Sequence, residues 1–440
     1  MKPMIEIAGA RVFLGDCVEV MKSLPENSVD SIVTDPPYGL EFMGKDWDAP
    51  WKKSGSFNGN IEETAESAGG VSKFANHRVR YQKGLEPMLG FQLWATEWAT
   101  ECLRVLKPGG HILAFGGSRT WHRLAVAVED AGFELRDSIA WLYGSGFPKS
   151  LDVSKAIDKR AGAEREVTGQ VIAGIAPGTG NAVGGPKPLV DVKKNPATSE
   201  AKAWEGWGTA LKPAFEPVVV GRKPLVGTVA ENVLLWGVGG LNIDGSRIAT
   251  DESWQGRKLD GKPLTGYEGG DGLNAQTSSS HAQGRWPANV ILDEVTAGLL
   301  DEQSGENPSR FFYQAKASKR DRNEGLEDLE DKRVGSFTGN VSTTGGNKIG
   351  AYPDKPNLPG KNTHPTVKPT QLMRYLIKLV TPPGGTVLDP FTGSGSTGKA
   401  ALLDGYQFVG AELTEEYLPI IEGRLRWASE QVEDEDVTLF

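Results

Sequence analysis

The sequence has few cysteines and no long apolar run. Its 440 residues include only Cys17 and Cys102, whose positions do not match the spacing of a metal site. No apolar stretch approaches the roughly 20 residues of a membrane span, and no charged start is followed by the apolar core of a signal peptide. These absences exclude a disulfide framework, a zinc site and a membrane segment. We therefore expect a cytoplasmic protein with buried thiols.

The sequence also lacks a net positive charge. It has 48 Lys and Arg against 57 Asp and Glu, which gives a formal net charge of −9. A chain that contacts nucleic-acid phosphates needs local positive charge. Residues 78–83 and 316–322 supply such charge, although each segment equally suits a solvated surface loop. Part of the acidic excess lies in residues 430–436, which we expect to form a solvated, mobile end.

The tetrapeptide Asp35-Pro36-Pro37-Tyr38 follows an apolar run at residues 28–34 that has the composition of a buried strand. At the end of a parallel strand, a carboxylate and a rigid Pro-Pro backbone can offer two oxygens to one amino group. The Tyr ring adds a stacking face. Exocyclic amines of nucleobases have the matching shape. The alternative is a turn that only ends the strand.

A glycine-rich segment at residues 386–400 is typical of a strand, a tight turn and the first turn of a helix. Its glycines, starting at Gly393, match the G-x-G-x-x-G spacing that lets the backbone approach a ligand. The next predicted strand ends at Glu412, whose carboxylate suits a ribose diol. Dinucleotide-dependent oxidoreductases share this spacing. Asp389, however, would repel a pyrophosphate and suits the cationic groups of S-adenosylmethionine.

With these motifs the chain resembles the amino-group DNA methyltransferases, whose catalytic motif is Asp-Pro-Pro-Tyr and whose cofactor motif contains Phe-x-Gly-x-Gly. The catalytic motif comes first and a long segment separates the two, as in the beta class of that family. Residues 363–369 are similar to the segment that precedes the cofactor strand in this class, although they also suit a proline-bounded loop. Segments at 206–217 and 285–289 look like those of phage and prophage members.

The resemblance implies a set of site residues and no metal. The catalytic residues would be Asp35, Pro36, Pro37 and Tyr38. S-adenosylmethionine would be bound by Asp16, His364, Thr366, Lys368, Asp389, Phe391, Thr392, Gly393, Gly395, Thr397 and Glu412. In this set Asp16 would accept a hydrogen bond from the cofactor's adenine amine, but it equally suits a helix N-cap. Lys368 and Thr366 would meet the carboxylate of the methionine moiety.

The order of predicted elements indicates an α/β fold. Helical spacing at 86–106 and 119–131 alternates with strands at 111–115 and 138–143, which predicts a mostly parallel sheet with crossover helices. The resemblance implies a Rossmann-like methyltransferase sheet assembled from both ends of the chain. Residues 41–84 show no clear period and are expected to form a mobile loop beside the site.

The resemblance also implies a division of roles along the chain. Residues 1–150 would carry the catalytic half of the methyltransferase domain, and 351–427 the cofactor-binding half, before an acidic tail at 428–440. The middle region, 151–350, would contain an inserted target-recognition region. Within it, strand-like runs at 216–222 and 231–236 are expected to return to the catalytic sheet.

The activity implied is site-specific transfer of a methyl group to N6 of adenine in double-stranded DNA, because Asp at the first motif position resembles the N6-adenine enzymes. N4-cytosine methylation is the alternative. Ring-carbon cytosine methylation does not fit, since neither cysteine follows a proline. An NAD-dependent oxidoreductase and an inactive DNA-binding relative are more distant alternatives. A homodimer is compatible with the resemblance, and a restriction endonuclease partner is left open.

Overall fold

The computed structural model describes residues 1–39, 75–144, 146, 150–172, 189–249, 284–315, 320–330, 332–333 and 359–437. The chain divides into two compact units. The first comprises Met1–Tyr143, Phe215–Gly335 and Pro359–Phe440, and the second comprises Gly144–Ala214 and Ser336–Leu358. Both chain ends therefore belong to the first unit.

The strands are numbered in chain order. They are β1 Ile5–Ile7, β2 Ala10–Leu14, β3 Val29–Thr34, β4 Leu106–Phe115, β5 Glu134–Leu142, β6 Val167–Ile172, β7 Leu189–Lys194, β8 Phe215–Arg222, β9 Val290–Asp293, β10 Tyr313–Ala315, β11 Lys332–Arg333, β12 Pro359–Gly360, β13 Thr386–Asp389 and β14 Gln407–Glu412.

The α-helices are numbered in the same way. They are α1 Cys17–Lys22, α2 Ala75–Val105, α3 Trp121–Asp130, α4 Val153–Ala161, α5 Ser199–Ala203, α6 Val229–Trp236, α7 Glu294–Ser304, α8 Thr370–Val380, α9 Ser396–Leu403 and α10 Leu418–Val437. None of the helices that the structure describes is long and apolar enough to cross a membrane.

The main sheet has the strand order β1-β2-β14-β13-β3-β4-β8-β5-β9-β10. All neighbours pair in parallel except β1 with β2 and β8 with β4 and β5. The cofactor-motif strands β13 and β14, from the C-terminal part of the chain, lie between β2 and β3. This arrangement confirms the predicted Rossmann-like α/β sheet built from both ends.

The parallel centre of the sheet is buried on both faces. Every residue of β3 is buried, and helices cover the two sides. On one side Trp98 of α2 is fully buried, and on the other Leu376 of α8 is fully buried. Burial of each such large apolar side chain contributes about 1.5–3 kcal/mol to the stability of the folded state. This packing holds the strand ends in fixed positions.

The middle region contributes β8 to the sheet, which confirms the strand predicted at 216–222. The strand predicted at 231–236 is wrong, because these residues belong to helix α6. Thr228 and Glu231 form a capping box at its start, and Gly237 ends it with φ of 75°. A short apolar run does not distinguish helix from strand, whereas these capping residues do.

Two further expectations are corrected. Residues 75–84 of the predicted loop belong to α2, while 41–74 lie outside the described residues. The predicted acidic tail continues α10 as far as Val437, so residues 428–437 are helical.

The second unit contains the antiparallel pair β6 and β7 and the helices α4 and α5. Its buried Asp158 carboxylate accepts hydrogen bonds from Arg165 Nε at 2.6 Å and from Thr198 Oγ1 at 2.8 Å. These bonds join α4 to the start of α5.

Candidate active site

The two sequence motifs meet at the C-terminal ends of neighbouring strands. Residues Asp35–Tyr38 follow β3, and the glycine-rich turn follows β13, which pairs with β3 in parallel. Thr34 Oγ1 donates a 2.6 Å hydrogen bond to Asp389 Oδ1 and so joins the two ends. Ligand sites of open α/β sheets lie at this edge.

Asp35 is held by two donors. Tyr38 OH bonds Oδ1 at 2.8 Å, and Lys368 Nζ bonds Oδ2 at 2.6 Å. About a fifth of the Asp35 side chain is exposed (20%). Because each carboxylate oxygen can accept more than one hydrogen bond, Asp35 retains the capacity to accept a hydrogen from a substrate amine.

Tyr38 is fixed at both its backbone and its ring. Its carbonyl accepts a 2.6 Å hydrogen bond from Thr120 Oγ1, and a Cβ atom added at Gly117 would lie 3.2 Å from its ring. Burial and the nearby carboxylates of Asp35 and Glu216 raise the pKa of Tyr38 well above its ordinary value. The phenol is therefore neutral at physiological pH and acts as a hydrogen-bond donor.

Lys368, predicted to bind the cofactor, lies at the catalytic motif. Its ammonium is buried, contacts Asp35, lies 3.3 Å from Glu216 Oε2 and stands 4.7 Å from the centre of the Phe115 ring. Burial alone would lower the pKa of Lys368, but the Asp35 and Glu216 carboxylates raise it. The lysine is thus a fixed positive charge beside Asp35.

Glu216 was not predicted as a site residue. Its sequence signals were its place in the 206–217 segment that resembles phage members and at the start of the strand predicted at 216–222. It is the second residue of the antiparallel strand β8. Its Oε2 atom lies 3.1 Å from Tyr38 OH, whose one proton goes either to Glu216 or to Asp35. Strand pairing across the sheet, which no local motif encodes, places it in the site.

The glycine-rich turn is closely packed. Gly393 and Gly395 have φ of 54° and 77°, values that favour glycine. A Cβ atom at Gly393 would lie 3.0 Å from His364 Nε2. The Thr392 amide donates to the Ala411 carbonyl at 2.9 Å. The two glycines therefore let the turn pack closely against His364 and Ile421.

His364 and Thr366 border this turn. The His364 ring contacts Tyr417 edge-on at 4.7 Å, and its Nδ1 atom is hydrogen-bonded to the Thr366 carbonyl. Burial lowers the pKa of His364 to about 4, so the ring is neutral. The Thr366 side chain is exposed, and no contact with the turn places it in the pocket.

Asp389 faces the protein interior. Its Oδ1 atom accepts from Thr34 and from the Phe391 amide at 3.0 Å, and its Oδ2 atom accepts from Thr397 Oγ1 at 2.5 Å. Burial raises its pKa to about 6. In this arrangement Asp389 and Thr397 hold the turn together, and their predicted contact with the cofactor stays a prediction.

Glu412 and Asp16 lie at adjacent strand ends, since Gly15 N donates to the Glu412 carbonyl at 2.9 Å. The buried Glu412 carboxylate accepts from the amides of Gly393 at 2.8 Å and Thr414 at 2.7 Å. Burial raises its pKa. Asp16 is exposed and caps α1 through a 2.9 Å bond from Val18 N, which confirms the N-cap interpretation. Its predicted contact with adenine stays a prediction.

Phe391 packs against two tryptophans of α2 that were not predicted as site residues. The ring centres of Trp94 and Trp98 lie 5.6 and 5.3 Å from that of Phe391. Phe391 is only partly buried. The tryptophans fix the orientation of this ring.

A buried network of charged side chains supports the glycine-rich turn. Lys399 Nζ bonds Asp321 at 2.8 Å and Glu324 at 2.9 Å, and the fully buried Arg424 donates to the Ser394 carbonyl at 3.0 Å. Burial lowers the pKa of Arg424 to about 10.

This network includes part of the predicted basic cluster at 316–322. Residues 316–319 lie outside the described residues. Arg322 donates to the His364 carbonyl at 2.6 Å, so it supports the cofactor side of the site. Arg320 is 86% exposed and pairs with Glu324 at 3.4 Å. Among the residues with described positions, no group of three or more His, Cys, Asp or Glu side chains could hold a metal ion.

Comparison with known proteins agrees with these motifs. The sequence profile of the N6/N4 DNA methylase family, whose members use S-adenosylmethionine, matches residues 29–159 and 269–423. The type II methyltransferase M.HindIII of Haemophilus influenzae is 24% identical over 246 residues, covering 52% of this chain and 64% of the relative. M.HpaI of Haemophilus parainfluenzae is 30% identical over 149 residues, covering 34% and 36%. The chain thus spans less than two thirds of each of these relatives.

Among solved structures, the cytosine-N4-specific PvuII DNA methyltransferase is similar with a TM-score of 0.45 and 14% identity, over 99% of this chain and 93% of that chain. The complex of M1.HpyAVI with S-adenosylmethionine is similar with a TM-score of 0.36 and 15% identity, over 94% and 98%. The family profile covers more than half of the sequence and includes both motifs, and on that basis the chain belongs to the N6/N4 DNA methylase family.

Proposed function

We propose that this protein is a site-specific DNA methyltransferase that transfers a methyl group from S-adenosylmethionine to N6 of adenine in double-stranded DNA. The observation that carries the proposal is the junction of the two motifs. Asp35–Tyr38 and the turn at Gly393 follow adjacent parallel strands, and Thr34 and Asp389 join them at 2.6 Å. An amine held by the first motif lies beside a cofactor held by the second.

Bound S-adenosylmethionine supplies a methyl group activated by its sulfonium. The chain's residues hold the acceptor. The Asp35 carboxylate and the Pro36 carbonyl accept the two hydrogens of the amine, which draws the nitrogen toward tetrahedral geometry and directs its lone pair at the methyl carbon. Tyr38 stacks on the base after it leaves the duplex. Lys368 holds the Asp35 carboxylate in place by pairing with it at 2.6 Å.

The cofactor pocket in this proposal consists of the Gly393 turn, the Phe391 ring and the carboxylates of Glu412 and Asp16. Glu412 already bonds the Gly393 and Thr414 amides, and its oxygens have further lone pairs for a ribose diol. Asp389, Thr392, Thr397 and His364 contribute by fixing the turn.

Adenine is proposed over cytosine because Asp35 occupies the first motif position, as in the N6-adenine enzymes that the sequence resembles. Both amines need the same two acceptors and the same stacking face. The family includes both specificities, so direct detection of the modified base decides between them.

The test is single-molecule sequencing of genomic DNA from a methylation-deficient bacterial host that expresses the chain. We expect N6-methyladenine in one fixed sequence, and none with Asp35→Ala or the isosteric Asp35→Asn. Calorimetry should show that both variants still bind S-adenosylmethionine, because neither removes a group of the cofactor turn. A modified cytosine would select the N4 alternative. Unmodified DNA from cells containing folded, cofactor-binding wild-type protein would contradict DNA methyl transfer.

A further inference from the structure

A closed ring of four side chains includes the Asp35 carboxylate of the proposed site. Lys368 Nζ lies 2.6 Å from Asp35 Oδ2 and 3.3 Å from Glu216 Oε2. Tyr38 OH lies 2.8 Å from Asp35 Oδ1 and 3.1 Å from Glu216 Oε2. Glu216 therefore contacts the same two groups that contact Asp35, the Lys368 ammonium and the Tyr38 hydroxyl.

We infer that Glu216 is a positioning residue of the methyl-transfer site, which orients Asp35 through Lys368 and Tyr38 and keeps the acceptor site negatively charged. The inference rests on the proposed function. Glu216 need not touch the substrate, because its two partners contact Asp35 directly.

The geometry explains why two carboxylates share one lysine. Lys368 is buried and long, and with Asp35 as its only partner it would neutralise the group that must accept the amine hydrogen. Glu216 offsets part of the positive charge of Lys368 and forms a second ion pair with its ammonium. The strand β8 fixes Glu216, since it pairs with β4 on one side and β5 on the other.

The net charge of the ring follows from the titratable groups that face Lys368. These are Asp35, Glu216, Tyr38, Tyr143 and His364. Burial, together with nearby carboxylates, raises the pKa of Tyr38 well above its ordinary value and that of Tyr143 to about 12, and burial lowers the pKa of His364 to about 4. These three groups are neutral near pH 7, so two carboxylates and one ammonium leave one formal negative charge.

This charge matches the chemistry of transfer. As nitrogen bonds the methyl carbon and the carbon–sulfur bond breaks with its electron pair going to sulfur, positive charge moves onto the amine, which then passes one proton to the Asp35 carboxylate. A preorganised negative site stabilises that positive charge more than it stabilises the neutral amine of the ground state. The contribution of Glu216 is therefore expected in the rate and not in binding.

The test compares Glu216→Gln with wild type on a duplex that carries the sequence found by genomic sequencing. We expect kcat to fall about tenfold to a hundredfold, with KM for DNA and Kd for S-adenosylmethionine within about twofold. Burial lowers the pKa of Lys368 and the two carboxylates raise it, so losing one carboxylate lowers it. The alkaline limb of the kcat profile should move to lower pH.

Two further variants control for structure. Glu134→Gln makes the same chemical change on β5, at the other end of the β5–β8 pair. There Glu134 forms an ion pair with Arg222 at 2.6 Å. This variant should leave kcat and the pH profile unchanged. Glu216→Asp keeps the charge, so it should retain the wild-type alkaline limb at an intermediate kcat.

The outcomes separate the two claims. An unchanged kcat in Glu216→Gln, or a loss of cofactor binding as large as the loss of rate, would overturn the positioning role of Glu216. Methylation by the wild-type protein would still uphold the proposed function. An unshifted alkaline limb would overturn the link through Lys368. Absence of methylation by the wild-type protein would refute the proposed function, and the inference with it.

Discussion

Asp389 links the catalytic and cofactor strands while its side chain is almost completely buried, at 2% exposure. Burial raises its pKa from 3.8 to about 6 in the folded protein, so the native state holds the proton more tightly than the unfolded chain does. The stability that this group contributes is complete below about pH 4 and is lost as the pH rises through about 6.

Asp389→Asn tests this linkage, because asparagine stays neutral and can still bond Thr34 and Thr397. Relative to wild type, the free energy of unfolding of the variant should rise by about 2–3 kcal/mol between pH 4 and pH 7, at about 1.4 kcal/mol for each unit of pKa shift. Urea unfolding at several pH values measures it. Thr397→Val removes a donor that lowers the pKa of Asp389, so it should move the transition to higher pH. A constant difference at all pH values would contradict the raised pKa.

Helix α9 depends on a glycine for its position against the sheet. A Cβ atom at Gly398 would lie 2.8 Å from Leu425 of α10 and 2.8 Å from Phe408 of β14. Gly398→Ala should therefore reduce the free energy of unfolding by about 1–3 kcal/mol through overpacking. The matched control is Gly298→Ala in α7, where nothing lies within 4 Å and alanine should stabilise the helix by about 0.5–1 kcal/mol. Equal effects in urea unfolding would refute a packing role for Gly398.

Elements with strong local signals could be predicted from the sequence. The strand β3, the motif turn after β13 and the glycine spacing of α9 are local, and the structure places them as expected. Helix α6 was mistaken for a strand because its apolar run outweighed the capping signal at Thr228.

The remaining part of the site depends on contacts between distant residues. Lys368 is 333 positions from Asp35, and Glu216 is 178 positions from Tyr38. Their proximity results from the pairing order of the sheet, with β8 antiparallel between β4 and β5. Motif spacing carries no information on that order, so the sequence predicted neither the contact of Lys368 with Asp35 nor the place of Glu216 in the site.

At the scale of the whole molecule, the larger of the second unit's two segments is inserted into a β-hairpin of the first unit. Leu142 at the end of β5 pairs with Phe215 at the start of β8, and Gly144–Ala214 runs between them. Two antiparallel strands that already pair next to the loop need only a short loop to connect them. The first unit therefore has the connections that it needs to fold without this segment.

Replacing Gly144–Ala214 by Asn-Gly tests this organisation, since Tyr143, Asn and Gly then form a three-residue loop with glycine at the position that favours positive φ. We expect a soluble protein that binds S-adenosylmethionine within about threefold of wild type by calorimetry, because every residue of the cofactor turn belongs to the first unit. Site-specific methylation should be lost if the second unit contributes to target recognition, as the predicted role of the middle region implies.

The matched control extends the excision to Arg222 and so removes β8 as well. Because β8 separates β4 from β5 near the centre of the sheet, this variant should neither fold nor bind the cofactor. If the shorter excision also abolished cofactor binding, the first unit would depend on the inserted segment for its stability. If it retained site-specific methylation, the residues that recognise the DNA sequence would have to lie in the first unit or in 336–358.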